Sequence, residues 1–215
     1  MYIFDGLFAQ PWVGLLGTVA LHFLWQGVLH IWIGIDHILF LVVLLLPAVL
    51  KREDNQWKPV ESFPIAMWNV VKIVTVFTIA HSITLGLAAL EYVRLPGALV
   101  ESIIAASIVL VAANNIVPKF KEGSAVIIFL FGLFHGMGFA SVMGEIPFRM
   151  QSIFKILVGF NIGVELGQLA IVAGAFVILY ALRNVKAYQP IVLRGGSAVA
   201  GLVATFWFIE RAFGL

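Results

Sequence analysis

FKILVGFNIGVELGQLAIVAGAFVILYAL, residues 154–182, carries two charged side chains, Lys155 and Glu165, and otherwise runs almost unbroken through apolar and small residues. At 1.5 Å per residue, a helix of this length outruns a hydrocarbon core of about 30 Å. The stretch therefore predicts a membrane-spanning helix. Similar stretches predict others over about 67–92, 98–117, 124–143 and 197–213. Two shorter segments, about 13–28 and 35–50, flank His30-Ile-Trp-Ile-Gly34, where a break or re-entrant bend is expected. The fold class is all-α: a polytopic transmembrane bundle of about seven helices, or six with a short or re-entrant first segment.

Composition agrees. The chain has 215 residues, of which 62% are hydrophobic and 11% charged. A soluble domain carries about 25% charged residues, so a single transmembrane domain, 1–215, is expected rather than soluble units. The lipid bilayer is its first partner. A net charge of +2 offers nothing to nucleic acid. With no cysteine, disulfides, thiolate ligands and cysteine nucleophiles are excluded together. Residues 1–12 lack Lys and Arg and read as an interfacial segment with Phe4, Phe8 and Trp12 at headgroup level.

Basic residues fall unevenly between the two sides. One collects Lys51, Arg52, Lys58, Lys72, Lys119, Lys121, Arg183, Lys186 and Arg194; the other has Arg94, Arg149, Lys155 and Arg211. The richer side is expected to be cytoplasmic. Seven crossings would then start the chain inside, and six would start it outside. The segment 51–64, with six charges, is expected to be a polar loop. Gly159, Gly163 and Gly167, and Gly132 and Gly136, repeat every four residues and predict close helix packing.

Ionisable groups inside apolar segments are the functional signal. All five histidines, His22, His30, His37, His81 and His135, lie in or at the edge of such segments, with Asp36, Glu101 and Glu165. Each costs roughly 2.5–3.5 kcal/mol to insert on translocon scales, so the set must compensate itself. At helical rise all of them but His22 share a layer, from the outer half to the midplane. Imidazole with carboxylate suits a divalent transition metal such as Ni, Co or Zn. His30, Asp36, His37, His81, Glu101, His135 and Glu165 are the expected metal residues; His22 is expected to be structural. A proton or hydrogen-bond network is the other reading. Asn161, Glu165 and Gln168 share one face of their helix, as do Thr78, His81 and Ser82. Asn114-Asn115 is read as a helix-to-helix contact.

The stretches His30-Ile-Trp-Ile-Gly-Ile-Asp36-His37 and Phe134-His135-Gly136 carry a resemblance. They resemble the two motifs of the HupE/UreJ family, membrane accessory proteins of hydrogenase and urease gene clusters. Phe77-Thr-Ile-Ala-His81-Ser82 and Gly159-Phe-Asn161-Ile-Gly163-Val-Glu165 resemble further segments of the broader family. The resemblance implies a bacterial inner-membrane protein that permeates nickel or cobalt. His30, Asp36, His37 and His135 would handle the metal, and metalloenzyme maturation proteins would be partners. One position departs: the family's nickel permeases carry a glutamate where this chain has Ala140. Glu165 or Glu101 is expected to substitute.

Three functions are compatible with such a site: a dication transporter, an intramembrane zinc hydrolase with Glu101 or Glu165 as general base, and a metal-binding accessory protein without turnover. A transporter needs a path inward from the site. On that side the sequence offers only Thr75, Thr78, Asn114 and Asn115.

Overall fold

A computed structural model describes residues 12–53, 56–120, 124–138 and 150–214, without the side chains of 12–20 and 150–153. Among the described residues are seven α-helices: α1 (Trp12–Ile33), α2 (Ile35–Leu45), α3 (Phe63–Ala89), α4 (Gly97–Ile116), α5 (Ala125–Gly138), α6 (Met150–Leu182) and α7 (Gly196–Phe213). A π-helical segment, Tyr188–Gly195, leads into α7. With this lead, α7 joins α3, α4 and α6 as helices long and apolar enough to span a membrane. The sequence's reading of an all-α membrane bundle therefore holds. The interfacial segment expected before Trp12, and Lys121, Ala140, Met143 and Arg149, lie outside the described residues.

Gly34 divides α1 from α2. Its N–H donates to the His30 carbonyl (3.0 Å), closing α1, and its own carbonyl accepts from the Ile38 N–H (3.1 Å), opening α2. Between these bonds its ψ of 93° leaves the helical region. The axis turns by 70° there. The break thus falls at the end of the expected 30–34 window, and α1 stays helical through His30. Expected to reach residue 50, α2 instead stops at Leu45, and Leu50 already belongs to a strand.

Neighbouring helices fix directions. Bonds among helix ends and connecting segments gather one face of the bundle: Arg183 Nε donates to Val60 O (2.9 Å), Tyr180 OH to Glu61 O (2.8 Å) and Arg52 Nη1 to Pro118 O (3.3 Å). The start of α3 and the ends of α4 and α6 therefore share this side. A Cβ added at Gly163 would meet the Leu24 carbonyl, and one at Gly167 would meet Val28 and Ile31. Numbers rise together, so α1 runs parallel to α6, toward the same side. The end of α2 reaches it too, where Tyr188 OH donates to Leu46 O (2.8 Å). So α1 and α2 are two halves of one interrupted crossing. Two antiparallel crossings had been expected; among the described residues the two helices instead form one bent span beside four long ones, with α5, at 14 residues, a shorter apolar helix. By the same logic α5 runs parallel to α3: a Cβ at Gly132 would crowd Phe77 and Ala80, and one at Gly136 His81 and Thr84.

These glycine seams do what the sequence expected of them. Lipid tails are as apolar as leucine, so helices in a bilayer associate through close packing rather than water exclusion. The seams draw α1 onto α6 and α5 onto α3, while α2 sits among α1, α4, α6 and α7. Asn115 adds a polar tie, donating to Val43 O (2.9 Å) on α2 and Ser197 Oγ (3.0 Å) on α7. Its neighbour Asn114 instead accepts from the N–H groups of Lys119 and Phe120, capping the turn after α4.

The expected polar loop contains an antiparallel hairpin, β1 (Leu50–Glu53) and β2 (Gln56–Pro59), with Arg52 opposite Trp57. Lys51 and Lys58 face each other across it, and each lies 3.0 Å from Glu53. Hydrogen bonds from the two lysines hold the Glu53 carboxyl below its ordinary range.

Candidate metal site

The two halves of the interrupted crossing carry three of the site's side chains. His30 lies on the last turn of α1, and Asp36 and His37 lie on the first turn of α2. The bend folds the two imidazoles together, with ring centroids 4.6 Å apart. Space is tight: a Cβ at Gly34 would sit 2.7 Å from both the His30 carbonyl and His37 Nδ1. His81, from α3, brings its ring within 6.1 Å of His30. One ring nitrogen from each of His30, His37 and His81 lies within 4.8 Å of the other two. Metal–nitrogen bonds of about 2.0–2.1 Å let two ligands stand at most ~4.2 Å apart, so closure onto one ion needs only a small adjustment. His135, delivered by α5, lies with its ring 5.5 Å from that of His37. Phe40 and Phe77 pack against His135 at 4.9 and 5.0 Å and wall the group on that side.

Hydrogen bonds orient these rings. His37 Nδ1 stands 3.0 Å from Asp36 Oδ1, His135 Nδ1 2.9 Å from Phe131 O, and His81 Nδ1 3.4 Å from Asn161 Oδ1. Asn161 Nδ2 donates to Leu157 O (2.8 Å), which leaves its oxygen to face His81. Every Nδ1 partner is an acceptor, so each ring carries its proton on Nδ1 and its lone pair on Nε2. The Nε2 atoms of His37, His81 and His135 are buried without a hydrogen-bond partner among the described residues. Buried polar atoms are rarely left so. A ring held through one nitrogen with the other free is the arrangement a metal-binding histidine needs.

The two glutamates lie elsewhere. Glu101, on α4, is exposed and 3.7 Å from Arg211. Glu165, on α6, accepts a hydrogen bond from Thr75 (2.7 Å) and does not join the three-histidine group. His22 stacks edge-on against Phe23, apart from the cluster. Arg211, which sequence reading counted only as a charge on the poorer side, reaches Asp36 Oδ2 (3.8 Å) and donates to Glu101 O (3.3 Å). Its signal was position: it lies in the last turn of a helix whose partner, α4, carries an acid in its opening turns.

A model of the HupE / UreJ protein family matches residues 13–211. The chain belongs to the HupE/UreJ family. In this HupE/UreJ protein the stretch His30–His37 encloses the break in the first crossing, so the motif that carried the resemblance is also the point at which the helix is interrupted. Comparison with curated proteins and with solved structures finds no match.

Proposed function

We propose that this integral membrane protein binds a divalent transition metal, such as nickel or cobalt, among His30, Asp36, His37, His81 and His135 and carries it across the bilayer. Three buried imidazole Nε2 atoms without partners among the described residues carry this reading. Asp36 both orients His37 and supplies negative charge to offset a dication.

Transport, rather than storage, is favoured by the interruption at Gly34. Membrane transporters commonly place ion sites where a helix is broken, because the free backbone groups and flexible halves serve binding and release. The hairpin side is taken as cytoplasmic, since it holds most of the Lys and Arg. An inside-negative potential would then drive uptake by about 2.3 kcal/mol per charge per 100 mV. Metalloenzyme maturation proteins of the hydrogenase or urease type are the partners the family suggests, and the bacterial inner membrane the location. A hydrolase is disfavoured: Glu101 meets Arg211 and Glu165 meets Thr75, which leaves neither beside the imidazoles as a base.

Purified protein in proteoliposomes, loaded with a metal-sensitive dye under an inside-negative potential, should take up Ni²⁺ or Co²⁺. Tight stoichiometric metal without any flux would reject transport and leave a metal-holding accessory protein.

A further inference from the structure

Between the imidazole cluster and the hairpin side, α3 and α6 face each other with a second set of polar side chains. Thr75 Oγ1 donates to Glu165 Oε1 (2.7 Å), and Thr78 Oγ1 to Gln168 Oε1 (2.8 Å). The helices are antiparallel, yet both pairings rise in number together. The links therefore cross, and the four end groups meet in one layer. Thr78 Oγ1 also lies 3.2 Å from Val74 O. The layer is continuous with the cluster, because His81 is three residues beyond Thr78 and approaches Asn161, four before Glu165.

Two hydroxyls, a carboxylate, an amide carbonyl and a backbone carbonyl make an oxygen-only set beside a nitrogen-rich one. Threonines that merely stitched two helices would need only a neutral acceptor, as Gln168 already provides. A carboxylate at this depth is costly, and a passing cation is what repays it. Oxygen ligands also hold late first-row dications less tightly than imidazoles do. Conduction requires such a step, with binding strong enough to enter and weak enough to leave. We infer that Thr75, Thr78, Glu165 and Gln168 form a second cation station, which receives the dication from the histidines and passes it toward the hairpin side. The inference rests on the transport reading for its role, though not for its existence.

Mn²⁺, which favours oxygen ligands, is the probe of the station itself. By electron paramagnetic resonance, wild type and His37→Ala should both bind Mn²⁺, with at least tenfold weaker binding in Glu165→Gln at a Glu165-dependent site. Gln keeps an acceptor for Thr75, so the fold should survive. No Glu165-dependent Mn²⁺ would overturn the station. In proteoliposomes, Glu165→Gln should cut Co²⁺ flux at least tenfold while equilibrium Co²⁺ binding at the histidines changes less than twofold. Unchanged flux, or an equal loss of Co²⁺ binding, would also overturn it. If wild type carried no dication at all, the transport reading would fail while the Mn²⁺ measurement still decided the station.

Discussion

Arg211 stands 3.8 Å from Asp36 Oδ2, while the other oxygen of that carboxylate, Oδ1, stands 3.0 Å from His37 Nδ1. One carboxylate is thus shared between a fixed cation on α7 and an imidazole aimed at the site. The guanidinium is itself positioned, 5.4 Å over the Trp207 ring and bonded to the Glu101 carbonyl. It occupies the approach to Asp36 from the side opposite the hairpin, and its charge opposes that of any dication arriving there.

Arg211→Gln should therefore tighten metal binding. The pair is partly solvated, which limits its contribution to about 1 kcal/mol or less, so the gain should be up to about fivefold in affinity. Titration calorimetry with Ni²⁺ at low and high salt would check this. Weaker binding in the variant would mean that Arg211 holds Asp36 in place for His37 rather than competing with the ion.

The histidines should divide by position. His37→Ala and His81→Ala each remove a buried Nε2 that the proposed site would use, and should abolish retention of metal through purification. Asp36→Asn keeps shape but weakens the bond that orients His37, and should cost about 10–100-fold in affinity, the usual range for such supporting groups. His22→Ala should change affinity less than twofold. Elemental analysis of the purified variants measures all four, and a His22 effect as large as that of His37 would contradict the division.

Gly136 allows α5 to approach α3. A Cβ there would run into the His81 carbonyl and Thr84 Oγ1, so Gly136→Ala should push His135 away from His37 and lower both metal affinity and thermal stability. Gly174 has nothing within 4 Å of an added Cβ. Gly174→Ala should leave metal binding alone and favour the helix by about 1 kcal/mol. Thermal melts with and without Ni²⁺ separate the two effects.

Glu91 ends α3 in a left-handed conformation, φ 64°. The Tyr92 N–H reaches back to Leu87 O and the Glu91 N–H to Ala88 O, a helix end that favours glycine at the Glu91 position. Glu91→Gly should stabilise the protein by about 1 kcal/mol, since the exposed pair it loses with Arg94 is worth little. A denaturation curve in detergent should show a higher midpoint with metal affinity unchanged.

Bound metal should raise the melting temperature, by an amount corresponding to ~2.7 kcal/mol at a hundred times the dissociation constant, and chelator should reverse it. Ligand imidazoles must be unprotonated, so protons compete with metal. The shift should therefore shrink as pH falls, and a metal-induced shift that grew on acidification would speak against imidazole ligation.

Much of this architecture was legible from residue spacing. Charge-poor runs located the helices, and a rise of 1.5 Å per residue put His37, His81 and His135 at one depth. Depth says little about azimuth, however. Glu101 shares the outer half with the histidines yet turns toward Arg211, and Glu165 turns toward Thr75. Those directions follow from how α4 meets α7 and α3 meets α6, which no single helix encodes. The polar pairing of α3 with α6 was missed for the same reason: Thr75 and Thr78 were visible singly, but their partners on α6 lie 90 residues away in sequence. The hairpin went unread because Leu50–Glu53 and Gln56–Pro59 are short and have little apolar alternation.

The break at Gly34 also sets parity. Because α1 and α2 make one passage instead of two, the start of α1 and the end of α7 come out on the same side. The hairpin, the turn after α4 and the link between α6 and the π-helical segment come out on the other. A soluble protein collecting metal as it leaves would meet those three connections. Its recognition surface would be assembled from internal loops held by Arg52, Tyr180 and Arg183, across the bilayer from the start of α1 and the end of α7.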